Sequence, residues 1–195
     1  MDFLNAAIAQ LSSTPQQAED LAYGLSEMQL SWKPAPEVFS VRQNILHLRD
    51  IDIEGYEQRI RLILSENCPI LPDVDGRKLA RERDYNAQPV KPALDDLRRS
   101  RATSIEKLKG CSPLDLERTA EMQGVGTIEL RRLLELWIEH DRGHIADLAE
   151  LRRAIEVGNS RVSLSQHRAA LRVRSRGKTC RRLDDEGYLL NADFR

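Results

Sequence analysis

A chain of 195 residues is long enough for one domain with a sizeable core and an appended tail. Charged residues make up 31% and aromatics only 5%, which suits a small helical protein and argues against a β-sandwich, whose strands favour aromatic and β-branched residues. A formal net charge of −1 excludes a protein that seeks polyanions with its whole surface.

Residues 2 to 25 read as helix in two parts. Phe3, Leu4, Ala7, Ile8 and Leu11 form one apolar stripe; Thr14-Pro15-Gln16-Gln17 then has the form of a fresh helix start, with Thr14 as N-cap and Pro15 in the first turn. Leu30 to Phe39, with Trp32, Pro34 and Pro36, is a connection, and Trp32 is placed to cover one end of a helix bundle. A second helix is expected from Ser40 to about Leu64, opened by a Ser40/Gln43 capping box and burying Val41, Ile45, Leu48, Ile51, Ile60 and Ile63. His47 lies beside that stripe, with Asn44 and Asp50 a turn away; alone it reads as a structural histidine.

Residues 65 to 90 form a long connection with Pro69, Pro72, Pro89 and Gly76, containing a short exposed helix near Arg77 to Tyr85. Its length is enough to cross a whole bundle, so the helices on either side can run parallel. Pro92 to Lys109 is a third helix, stopped by Gly110. After a second irregular segment, residues 127 to 155 form a long amphipathic helix with Thr127 as N-cap after Gly124 and Gly126. Its apolar stripe is Leu130, Leu133, Leu134, Trp137, Ile145, Leu148, Leu151 and Ile155, and His140 and His144 sit inside it. Two imidazoles one turn apart on an inward face can share a metal ion or can be satisfied by packing; this helix alone leaves the two readings level.

Beyond residue 157 the composition changes. Residues 158 to 195 carry nine basic and four acidic groups, a net of +5. The preferred reading is a solvated, partly disordered basic tail, because no RNA-binding signature and few stacking aromatics accompany the charge; nucleic acid is not the expected partner. Cys68, Cys111 and Cys180 are far apart with no C-x-x-C pair, which fits a reducing compartment and offers no thiolate metal site. No basic stretch followed by an uninterrupted apolar core marks a signal peptide, and no run approaches the roughly 18 apolar residues of a membrane span, so a cytoplasmic protein without membrane contact is expected.

His47, His140 and His144 thus fall on inward faces of the two strongest helices. Brought together, they make a three-histidine site with one or more positions open for water or substrate, the arrangement of a catalytic metal centre. Neutral imidazole suits zinc, nickel, iron or copper, and the ligand set does not choose among them.

The combination of T-P-Q-Q at Thr14, L-S-W-K-P-A-P-E-V-F-S-V-R-Q-N-I-L-H-L at Leu30 to Leu48, and T-I-E-L-R-R-L-L-E-L-W-I-E-H-D-R-G-H-I at Thr127 to Ile145 resembles the DinB-like family, which includes metal-dependent hydrolases of the DinB/YfiT type. The resemblance covers residues 1 to 157; Phe39 stands where the family often has Trp, and the segment after residue 157 has no counterpart. It implies an all-α four-helix bundle, up-down-down-up, with the long crossover between helices 2 and 3. It also implies a divalent metal ion, zinc or nickel most often, on His47, His140 and His144, and homodimers as a common assembly. Activities in the family range from hydrolysis to thiol-dependent transfer, on small molecules that the sequence does not name.

The favoured expectation is therefore a metal-dependent hydrolase or thiol-dependent transferase. The alternative is a non-catalytic metal- or small-ligand-binding protein of a stress response. Asp141 and Asp147 are candidates to orient the His144 ring, with a surface location weighed equally; Glu54, two turns after His47, is a weak candidate for a general base.

Overall fold

The computed structural model describes residues 3–174, with side chains through Gly158. Of the expected tail of residues 158–195, the backbone of residues 158–174 continues the last helix, and residues 175–195 lie outside the described residues. Contacts divide the chain into a unit ending at Glu156, which holds the helix bundle, and a second beginning at Val157. No helix among the described residues is long and apolar enough to cross a membrane.

Four long helical stretches make the bundle: α1 (Phe3–Ala22), the continuous run of α3 (Val41–Asp50), a π-helical turn (Ile51–Tyr56) and α4 (Glu57–Ser65), then α6 (Val90–Lys109) and the part of α7 (Leu130–Arg174) that ends at Glu156. Short α2 (Glu27–Ser31) and α5 (Gly76–Glu82) lie in the connections. The apolar core has two halves, and they give the direction of each helix. One half takes Leu4 to Leu11 of α1, Ile51 to Ile63, Ile105 and Leu108 of α6, and Leu130 to Ile138 of α7. The other takes Ala18 and Ala22, Val41 to Leu48, Ala93 to Leu97, and Leu148 to Ile155. The first and last helices therefore run from the first half to the second and the middle two run back, which is the up-down-down-up order expected.

Both connections differ from the sequence expectation in carrying a small sheet. β1 (Ile70–Leu71) pairs parallel with β2 (Thr119–Met122), which pairs antiparallel with β3 (Gly126–Glu129). Gly124 and Gly126, with φ of 76° and 91°, make the tight turn of the β2–β3 hairpin. Thr127 is accordingly a strand residue and not an N-cap, and α7 starts at Leu130. Arg118 ties this sheet to the bundle by donating to the carbonyls of Ile63 and Glu66 at the end of α4.

The fresh helix start expected at Thr14-Pro15 is also absent: α1 is one helix with Pro15 inside it. Proline has no N–H, so the carbonyl of Leu11 loses its helical donor. Arg101 Nη1 supplies the replacement at 2.7 Å. The Thr14 hydroxyl, instead of capping, crosses to α7 and donates to Asp141 Oδ2 at 2.7 Å. Arg101 also donates to Asp141 Oδ2 at 2.6 Å and, through Nε, to Asp52 Oδ1 at 3.0 Å, and its guanidinium lies 4.5 Å from the Trp137 ring centroid. Arg101, Asp52 and Asp141 are all buried, and they separate the two apolar halves.

Removing the cation from this layer leaves two buried carboxylates facing each other, which is far worse than removing the whole group. Arg101→Met is expected to cost about 3–5 kcal/mol of unfolding free energy by urea titration. A loss below about 1 kcal/mol, within the range of an exposed ion pair, would mean that the charges are not confined as the structure has them.

Candidate metal centre

The capping box of Ser40 and Gln43 fixes the start of α3, so that His47 enters the bundle two turns on. His140 and His144 project from α7 toward it. One ring nitrogen from each of the three lies within 4.8 Å of the others, the only such cluster of three or more metal-ligating side chains among the described residues. His47 Nε2 and His140 Nε2 stand 3.2 Å apart, and the His144 ring is 4.5 Å from that of His47 and 4.6 Å from that of His140 by centroids. The three histidines singled out from sequence are therefore brought to one place.

Burial, and the like charges that neighbouring rings would place on them, lower His47 from 6.5 to about 2 and His144 to about 3. Both rings are thus neutral, as ligands must be. Two unprotonated imidazole nitrogens at hydrogen-bonding distance repel unless a proton or a cation lies between them. Nitrogens bound to one zinc, each about 2.0–2.1 Å from it, stand roughly 3.3 Å apart in a tetrahedron. The 3.2 Å separation of His47 and His140 fits that requirement.

What stands behind each ring fixes which nitrogen points inward. His144 Nδ1 lies 2.8 Å from Asn44 Oδ1. The Asn44 amide is itself oriented, since its Nδ2 donates to the carbonyls of Ser40 and Phe39. The His144 Nδ1–H therefore donates and its Nε2 lone pair is free. His140 Nδ1 faces Asp141 Oδ1 at 3.5 Å. His47 lies against the backbone of Gly76, where a Cβ would stand 2.2 Å from its Cε1 and 2.6 Å from its Nδ1. Only glycine fits there. Gly76 itself is held because Asp50 on α3 accepts from Arg83 at 2.8 Å and from the Tyr85 hydroxyl at 2.6 Å, latching the crossover onto the helix that carries His47.

Three expectations about neighbours need correction or refinement. Asp141 stands behind His140 and not His144, because it is drawn toward Thr14 and Arg101 on the other side of α7. Asp147 is 60% exposed and 3.9 Å from His144 Nδ1, a nitrogen already engaged by Asn44. Glu54 is paired with Arg83 of the crossover, so its carboxylate is already engaged by a cation. Asn44 and Gly76 are supports that the sequence does not announce. Asn44 is visible there only as a polar residue one turn before His47, and nothing local marks Gly76 as touching a residue in another helix.

The model of the DinB superfamily matches residues 10–148 of the chain. A protein of Oceanobacillus iheyensis named "Putative metal-dependent hydrolase" is 26% identical over 148 residues, covering 76% of this chain and 85% of that one. One of the same name from Halalkalibacterium halodurans is 24% identical over 143 residues, covering 73% and 82%. In fold, the chain matches YfiT from Bacillus subtilis, which has "an unusual four-helix bundle topology", with a TM-score of 0.73 at 22% identity, covering 78% of this chain and 87% of that chain.

The buried rings make stability depend on pH. His47 and His144 take up protons in the unfolded chain below pH 6.5 but not in the metal-free fold, so stability is complete above that pH and falls as pH drops toward 3. The loss at pH 5 is roughly 2 kcal/mol for each histidine. Asp52, pushed up to about 6 by burial, works in the opposite sense between about pH 4 and 6, with one proton against two. Urea unfolding in a chelator at a series of pH values reads the slope, and equal stability at pH 7 and pH 5 would sink the assignment. Gly76→Ala is expected to cost about 1–3 kcal/mol by overpacking and to displace the His47 ring, visible as a shift of its ring proton resonances. An unshifted ring would show that the crossover does not seat it.

Proposed function

The chain belongs to the DinB superfamily, and within it we propose that this protein is a metal-dependent hydrolase whose divalent ion is held by His47, His140 and His144. The observation that carries this reading is the convergence of three inward-facing imidazoles on one point, with two of their nitrogens 3.2 Å apart. The names of the relatives from Oceanobacillus iheyensis and Halalkalibacterium halodurans support the same reaction class. Zinc or nickel suits the all-imidazole set, and such an ion supplies Lewis acidity that lowers the pKa of a water or thiol it binds. The chain's own residues contribute the rest. Asn44 holds the His144 ring in one tautomer, and the Gly76 backbone walls the His47 ring.

The described residues offer no fourth histidine, cysteine, aspartate or glutamate in the cluster, and the His140 and His144 side chains keep 22% and 18% exposure. An open position with access from solvent favours a substrate over a closed, purely structural ion. A thiol-dependent transfer uses the same open position, and the presence or absence of a low-molecular-weight thiol in the assay separates it from hydrolysis.

The test is metal content of natively purified protein beside a His140→Ala/His144→Ala variant. About one zinc or nickel per chain in the wild type, lost in the variant, is the expected result, followed by ester and amide hydrolysis that requires the metal. Equally metal-free, folded protein in both, unresponsive to added zinc or nickel, would end the hydrolase reading.

A further inference from the structure

Resting on that metal reading, we infer that Asp141, held by Thr14 and Arg101, is the positioning residue for His140. It accepts a hydrogen bond from His140 Nδ1–H when Nε2 carries the metal. His140 Nδ1 and Asp141 Oδ1 are both buried, neither has a hydrogen-bond partner, and they face each other at 3.5 Å. Two orphaned buried polar atoms are costly, and here each is the other's nearest remedy. The other oxygen of the same carboxylate is fully engaged, taking the Thr14 hydroxyl at 2.7 Å and Arg101 Nη1 at 2.6 Å. The carboxylate therefore cannot turn, and Oδ1 is left aimed at the ring.

Three neutral imidazoles leave both charges of a divalent ion unneutralised by their ligands. Asp141 supplies the negative charge directly behind one of them, and its charge reaches the ion through the imidazole. Arg101 prevents that carboxylate from being an uncompensated buried anion, and Asp52 on its far side keeps the guanidinium centred, with Nη2 at 2.8 Å. The relay thus runs from Pro15's vacated carbonyl partner on α1, through α6, to a ligand on α7.

The test uses zinc binding to the full chain, measured by competition with a chromophoric chelator, with the fold of each metal-free variant checked by circular dichroism. Asp141→Asn, nearly isosteric and still able to pair with Thr14, is expected to weaken zinc 10- to 100-fold. Thr14→Val, which removes one restraint and keeps the carboxylate, is expected to weaken it by a smaller factor in the same direction. Ile105→Val, one turn from Arg101 on α6, lowers stability without touching the relay and is expected to leave zinc affinity unchanged. In the zinc-loaded wild type a His140 Nδ1-bound proton should appear by ¹H–¹⁵N NMR and move upfield in Asp141→Asn. Zinc affinity within twofold of wild type in Asp141→Asn overturns the inference, as does a parallel loss in Ile105→Val, which would make the effect one of stability alone. Absence of saturable zinc binding in the wild type removes the metal reading itself, and the inference with it.

Discussion

A single guanidinium sits where four helices cross, and most of this molecule's organisation can be derived from what that charge requires. Arg101 is buried, so its charge must be met by acceptors and carboxylates inside the bundle. One acceptor is a backbone carbonyl that exists only because Pro15 cannot complete the helical ladder of α1. The others are Asp52, from the π-helical turn, and Asp141, from α7. A buried cation flanked by two carboxylates is not a cheap way to stabilise a core, since apolar side chains of the same volume commonly do as well or better. What it provides is register: α1, the second helix, α6 and α7 can meet at this level in one way only.

That register is what places the histidines. His140 precedes Asp141, so fixing Asp141 on the α1/α6 side of α7 turns His140 and His144 toward α3. Trp137, one turn earlier, is clamped between the Arg101 guanidinium on one side and the Tyr56 ring, stacked at 4.8 Å and 8°, on another. The π-helical turn has a related role. In an α-helix, positions four apart drift about 40° around the axis, and the wider π turn absorbs that drift. Leu48, Asp52, Tyr56 and Ile60 consequently all remain buried, the aspartate beside the arginine and the tyrosine beside the tryptophan.

The parts legible in the sequence are those governed by short-range pattern. Helical periodicity locates the four long helices, the Ser40/Gln43 box locates the start of α3, and the length of residues 65 to 90 allows a crossover between parallel helices. The histidine triad is legible because all three residues lie on stripes whose inward direction the pattern defines. Thr14-Pro15 misleads because its local chemistry is that of a helix start. The partners that let it stay inside a helix, Arg101 and Asp141, are about 90 and 127 residues away in sequence. Arg101 itself interrupts the α6 stripe between Leu97 and Ile105, a position where a charged residue signals a buried partner, but periodicity cannot name that partner. The strands escape detection because two- to four-residue segments are too short for alternation to register.

The crossover is a working part of the site, beyond being the topological consequence of two parallel helices. A chain that must travel the length of the bundle between α4 and α6 passes the open side of α3 on its way. There Arg83 and Tyr85 bind Asp50, and Gly76 closes against the His47 ring. The backbone at Gly76 can approach that closely because no side chain intervenes, so the ring is walled by main chain. His144 is held by Asn44, from its own partner helix, and His140 by Asp141, from the charge layer. Each imidazole is therefore supported by a different part of the fold: a crossover, a neighbouring helix and a buried ion pair. An up-down-down-up bundle supplies all three at one level, whereas an up-down-up-down bundle with short loops would have no long segment to supply the first.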